Sequence, residues 1–149
     1  MAHTFCDTGL SAMLSIFPNT ATAQPTAWWL GFFGSQTSGT VPSRTAFEGA
    51  TPGGWTESVA VARISIAANA WQAGAVNGNG VRTTAAQVAV TATAAGSANG
   101  YFLSNRPTAA APAITFAFAN FDDLTTITYN SGDVIRLTPA FQFNVSALS

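Results

Sequence analysis

The chain of 149 residues suits one domain, which at this size buries roughly 68–70% of the surface its unfolded form exposes and needs no staple to hold a core. Apolar residues make up 48% of it, but charged residues only 7% where ~25% is usual, with five arginines, no lysine, six acids and a net charge of −1. Arg44, Arg63, Arg82, Arg106 and Arg136 are spread along the chain, no apolar run approaches the ~18 residues of a membrane span, and the start MAHTFCDTGL has neither a basic nor an apolar stretch, so nucleic acid, membrane and export are not expected.

In chain order, Cys6 comes first and is the single cysteine, which excludes an internal disulfide and reads as a small core residue. Asp7 or Thr8 caps a short helix with Leu10, Met13, Leu14 and Phe17 at helical spacing, ended by Pro18 and Asn19, so residues 1–20 form an N-terminal segment. AWWLGFF is apolar on both alternating faces, with Trp28, Leu30 and Phe32 toward one layer and Trp29 and Phe33 toward another. This predicts a central strand covered on both sides. Residues 34–54 hold five glycines, two prolines and many hydroxyls, and predict a long loop rather than a strand.

The remaining segments alternate. SVAVARISIA places Val59 and Val61 on one face and Ile64 and Ile66 at the opposite parity, which predicts a bulge near Arg63. NGNG at 77–80 is a tight-turn signal, and QVAVTATA and AITFAFAN follow as strands, the second with Ile114, Phe116 and Phe118 on one side. LTTITYN, DVIRLTP and FQFNVSA complete the set, with NSGD at 130–133 joining two strands tightly and Phe141, Phe143 and Val145 sharing a face. Seven or eight short strands behind one short helix predict a mainly β chain. It is expected to form a single antiparallel β-sandwich or jelly-roll domain over residues 1–149.

Catalytic chemistry finds little support. His3 is the one histidine and sits in an N-terminal tail without an orienting partner, so a His-based nucleophilic site is not expected. Asp122 and Asp123 are adjacent on an extended stretch and point apart, reading as solvated turn acids. Asp133 reads as a turn residue that accepts from backbone amides. No catalytic, cofactor or metal site is expected, and the protein is read as non-enzymatic. A surface so poor in charge gains little from repulsion and invites association.

The order LSAMLSIFPNT, QPTAWWLGFFGSQ, a Gly/Pro-rich tract, ANGYFLSNRP and YNSGDVIRLTPAFQFNV resembles small virion proteins of tailed bacteriophages, usually labelled tail fibre or minor tail proteins. In that group a short helix leads into an apolar strand ending in a Leu-Phe pair. Phe32-Phe33 stands there in this chain, and Gly100 to Phe102 and Gly132-Asp133 match the group's late GYF strand and GD turn. The resemblance covers nearly the whole length and implies a structural protein of the virion, made in the host cytoplasm. It carries over no catalytic residue.

A fibre that reaches a receptor ordinarily has a shaft, and this chain has neither heptads nor an internal repeat. A compact neutral module without a shaft suits a cement or decoration role on the capsid. The expectation is therefore a homotrimer that binds the major capsid protein or other virion proteins. The alternative is a tail fibre or minor tail component that binds a receptor or glycan. Docking is expected through the loop 34–54, with Val41, Arg44, Phe47 and Glu48 as anchors, together with residues 1–8. Trp55 and Trp71, each beside glycine or polar residues, are expected to add contact surface.

Overall fold

The computed structural model describes residues 3–5, 26–34, 56–72, 75–77, 80–108, 115–121 and 125–144. Thirteen short strands lie among them. The first six are β1 (His3–Phe5), β2 (Ala27–Gly34), β3 (Thr56–Glu57), β4 (Ile64–Ala67), β5 (Ala75–Asn77) and β6 (Gly80–Thr84). The others are β7 (Val88–Thr91), β8 (Gly96–Ala98), β9 (Gly100–Ser104), β10 (Thr115–Asn120), β11 (Ile127–Tyr129), β12 (Val134–Leu137) and β13 (Ala140–Asn144). All pair antiparallel, and the fold is a mainly β sandwich.

The apolar run AWWLGFFG becomes β2, the inner strand of the principal sheet. One side of β2 pairs with β9, which continues to β10 and β1, and its other side is shared end to end by β4 and β3. Register explains the two apolar faces. Trp28 lies opposite Ile66, Leu30 opposite both Ile64 and Leu103, and Phe32 opposite Tyr101, and all of them join the main core cluster with Ala117 and Ala119. The other parity places Gly31 opposite Phe102 and Phe33 opposite Gly100. There each large ring lies over a neighbouring strand's glycine: a Cβ on Gly31 would stand 2.6 Å from Phe102 Cε1, and one on Gly100 would stand 2.6 Å from Phe33 Cζ. Phe33 also meets Phe118 edge to face, with centroids 6.3 Å apart. Phe32, Phe33 and Phe102 are all fully buried, so β2 is covered on both faces as its composition predicts.

A second layer lies over the Leu30 face. It comprises β13, β6 and β5 as one sheet, and a long ladder formed by β7 with β12 and β8 with β11. The ladder keeps one register, with Val88 opposite Leu137 at one end and Ala98 opposite Ile127 at the other. A corner interrupts it between them. There Ala92 N–H donates to Asp133 O at 2.9 Å and Gly132 N–H to Ala92 O at 2.8 Å, while Gly132 takes a left-handed φ of 92°. Asn130 N–H donates to Asp133 Oδ2 at 2.7 Å, the backbone-satisfying role expected of that acid. NSGD is thus a bend at which a strand pair changes direction, not a hairpin, because β11 and β12 pair with different partners. Tyr101 ties the layers together, its hydroxyl donating to Ala140 O at 3.0 Å and its ring 5.7 Å from Phe141.

Several sequence expectations change in detail. The seven or eight expected strands are thirteen segments among the described residues, because the strand pairs are broken by corners and excursions. NGNG does close a hairpin, with Asn77 opposite Gly80. Val59 and Val61 do not share a face: Val59 is 87% exposed and Val61 is 1% exposed, because the chain leaves the edge of β2 there. In β10 the register shifts between Thr115 and Ala117, an irregularity within the stretch expected to alternate, of which Ile114 lies outside the described residues. His3 belongs not to a free tail but to β1, opposite Ala119. The expected helix after Asp7 lies outside the described residues.

Phe32→Ala removes a fully buried ring from the strand on which both sheet edges depend, and should cost about 3–5 kcal/mol in urea unfolding. Trp29 is only half-buried. Trp29→Ala should cost clearly less than Phe32→Ala, and equal losses would contradict this assignment of the two positions.

Candidate functional site

Along the free side of β2 the chain pairs twice, once as β3 opposite Gly34 and Phe33, and again as β4 opposite Leu30 to Ala27. Between these the register gains four residues, an even number that keeps the parity, so the chain makes an excursion near Arg63, where a bulge is expected, without the change of parity that Val59 and Val61 suggest. Ser58 N–H still donates to Phe32 O at 2.8 Å and Val61 N–H closes a turn on Ser58 O at 2.9 Å. The turn sends the Val61 side chain into the core, leaves Val59 outside, and brings Arg63 back beneath it.

Arg63 is buried, and its guanidinium is thoroughly engaged. Nε and Nη2 donate to the two Glu57 carboxylate oxygens at 2.7 and 2.8 Å, a bidentate pair. Nη1 donates to Ser104 Oγ at 3.3 Å and to the carbonyls of Arg106 and Thr108 at 3.1 Å each. The cation also lies 4.9 Å from the centre of the Phe102 ring. Burying an ion pair is costly unless its hydrogen bonds are satisfied, and here they are supplied from β3, the end of β9 and the strand's continuation. The clasp closes the bulge and locks β3 beside β2. Gly34 and Thr56, the two residues that bound the segment 35–55, are therefore paired neighbours at a fixed point.

Beside that point lies a groove of about 270 Å³ lined by Gly34, Thr56, Glu57, Ser58, Val59, Ala60, Ala95, Gly96, Ser97 and Tyr129. Ser58 Oγ donates to Ser97 O at 2.9 Å and joins its two walls. Thr93 holds the turn from behind, its N–H and hydroxyl both donating to Ala60 O at 2.8 and 3.0 Å. Tyr129 is 5% exposed and packs over Gly96, with its hydroxyl 2.7 Å from where a Cβ on that residue would lie. Among the described residues no group of three or more His, Cys, Asp or Glu side chains stands together as a metal-binding set.

Of the residues expected to bind a partner, Val41, Arg44, Phe47, Glu48 and Trp55 lie outside the described residues, as do Cys6, Asp122 and Asp123. Trp71 is described. It is half-buried against the core with its ring 5.7 Å from Phe141, and its Nε1 is buried without an acceptor among the described residues. It does not line the groove. Glu57, Val59, Arg63 and Tyr129 were not singled out as site residues from the sequence. The available signal was local: Glu57 and Arg63 are the only charges in a neutral stretch and bracket its change of parity. Nothing local marks Tyr129, which reaches the groove only through the β8–β11 pairing.

Compared with protein families, curated proteins and solved structures, the chain matches none.

Arg63→Ala leaves the Glu57 carboxylate at a buried site without its counter-charge and frees the 104–108 segment, so it should cost about 3–5 kcal/mol in thermal or urea unfolding. The double variant Arg63→Met with Glu57→Gln should lose less than the sum of its single variants. Strict additivity would show that the two side chains act independently.

Proposed function

We propose that this chain is a non-enzymatic structural protein of a tailed-bacteriophage virion, a capsid cement or decoration protein that binds the major capsid protein lattice as a homotrimer. The sequence resemblance supports the virion context. The observation that carries the docking assignment is the clasped root: Gly34 and Thr56 are held side by side, so the Gly/Pro-rich segment 35–55 leaves and returns at one rigid point. Ordering such a segment costs roughly 1–2 kcal/mol per fixed residue, which a partner surface offsets. The anchors it offers are Val41, Arg44, Phe47 and Glu48, with Pro42 and Pro52 lowering the entropy lost on docking. Trp55, at the end of the same segment in sequence, and the exposed part of the half-buried Trp71 are the further contact residues of this reading.

A chain with 7% charged residues builds interfaces from close packing of small residues and backbone hydrogen bonds. Its self-association should therefore change little with salt, and native mass measurement at high protein concentration should show trimers. Monomers alone would count against the assembly.

Deleting residues 36–50 and closing the gap with a short glycine linker should leave the sandwich folded, because the two ends already pair, yet abolish incorporation into particles. Full occupancy of particles by the deleted protein would overturn docking through this segment. Copy number decides the location: a count comparable to that of the capsid subunits supports the cement role. A count matching a tail component, especially with glycan binding by the isolated protein, would replace it with the receptor-binding alternative.

A further inference from the structure

β10 has the composition of an inner strand, not of an edge. TFAFAN contains no charge and no proline, the devices that keep an edge strand from pairing further, and Ala117, Phe118 and Ala119 are each at most 1% exposed. Its side away from β9 is closed, among the described residues, by β1 alone, with His3 opposite Ala119, Thr4 opposite Phe118 and Phe5 opposite Ala117. That strand arrives on a long tether. Following the register across the sheet puts Phe5 in the row of Ala117, Leu103 and Leu30, three residues along from Ala27, where β2 begins. Three strand spacings and three residues separate the two ends by roughly 17 Å. The 21 residues 6–26 that join them reach about 70 Å when extended, and about 50 Å with a ten-residue helix among them. A domain of 149 residues is only roughly 40 Å across, so the tether reaches the β10 edge of an adjacent copy.

We infer that β1 is an exchangeable arm, and that in the assembled protein the β10 edge of each copy is closed by residues His3–Phe5 of a neighbouring copy. The ladder on β10 already shows which segment fits this edge and in which register. Exchange keeps every backbone hydrogen bond of that ladder, so it costs no pairing, and swapping an identical element between copies is a low-cost route to oligomers. Concentration decides between a chain's own arm and a neighbour's. A tethered arm acts at an effective concentration on the order of millimolar, so dilute copies close on themselves and copies held side by side exchange. Passing each arm to the next copy is a head-to-tail contact, which closes into a ring when the rotation is a third of a turn. A cement protein gains from this, because no copy leaves the ring without pulling a strand out of a sheet. The inference deepens the homotrimer proposed above and rests on that association, but not on the capsid or any other virion partner.

Two variants of the full chain test it, both with Cys6→Ser, one carrying His3→Cys and an affinity tag, the other Ala119→Cys. Each then holds a single thiol, so a disulfide between positions 3 and 119, which lie directly opposite in the ladder, necessarily joins two chains. Refolded together at millimolar concentration and oxidised, the mixture should give the mixed dimer on a non-reducing denaturing gel. At about ten micromolar that band should fall by at least about tenfold. One chain carrying both cysteines should instead close on itself when dilute, which shows that the substituted pair folds and meets. The unmodified protein supplies a second reading: in a refolded mixture of isotope-labelled and unlabelled copies at millimolar concentration, isotope-filtered NOEs should connect His3–Phe5 of one copy with Ala117–Ala119 of another. Oligomers in native mass measurement that lack both the mixed disulfide and these NOEs overturn the exchange and leave the association standing. Monomers alone at millimolar concentration overturn both. Mixed disulfides in a species other than a trimer uphold the exchange and replace the homotrimer.

Discussion

A guanidinium taken out of water needs hydrogen-bond acceptors in several directions, and Arg63 finds them on separate pieces of chain. Glu57 lies before the bulge, Ser104 ends the neighbouring strand, and the Arg106 and Thr108 carbonyls belong to the segment that follows it. No other contact in the described structure joins so many elements. Without it β3 would be a two-residue strand pairing at the end of a long detour, with little to hold it. With it, the strand is fixed, the turn at 58–61 is closed, and one wall of the groove has a defined place. A buried ion pair is weak evidence for stability, because well-packed apolar side chains often serve as well. Its directional geometry specifies one arrangement among several, and the bulge is where the chain has alternatives.

The principal sheet solves a different problem by size. β2 and β9 are both apolar on both faces, and two such strands side by side would overcrowd the Phe33 face with rings. Glycines at 31 and 100 prevent this. Each accommodates the ring opposite it, so that Phe102 and Phe33 lie flat across the neighbouring strand and Phe118 can meet Phe33 edge to face. Arg63 then approaches Phe102 from the side, which links the packing of this face to the clasp. The aromatic density of PTAWWLGFFGSQTSG thus belongs to the fold, and the glycines within it are as necessary as the rings.

Much of this was legible before the structure, and the part that was not has a physical reason. Period-two alternation, Asn-Gly turn chemistry and the doubly apolar run at 27–33 are local signals, and they identified the central strand and the 77–80 hairpin, whereas the expected change of parity at Arg63 is an even, four-residue excursion. The faces of Val59 and Val61 were misread because alternation continues to look regular through a turn that has already left the sheet. Trp71 was assigned to surface from its polar neighbours, but packing against Phe141 is a long-range fact that neighbours in sequence do not carry. The clasp itself joins residues 57, 63, 102, 104, 106 and 108, and its pieces meet only because β2 pairs with β9 on one side and β3 and β4 on the other. In the sequence Arg63 looked like one of five scattered cations.

The same topology explains why the groove and the 35–55 segment share a location. A segment inserted between two paired strands leaves the sheet at its end, where the ladder stops and edge groups are open. In this fold that end of β2 abuts β8, since Asn99 N–H donates to Phe33 O at 2.8 Å, and so the ladder corner that carries Tyr129 is brought alongside. Gly34, Gly96 and Ser97 are small enough to leave space where the two layers converge. The groove is therefore the gap between two sheets at the point where one opens for an insertion. Its neutrality follows from Arg63 satisfying Glu57. The clasp that secures the root of the insertion also neutralises the one charge in the lining of the groove beside it, so a single ion pair sets both the geometry and the electrostatics of this end of the sheet.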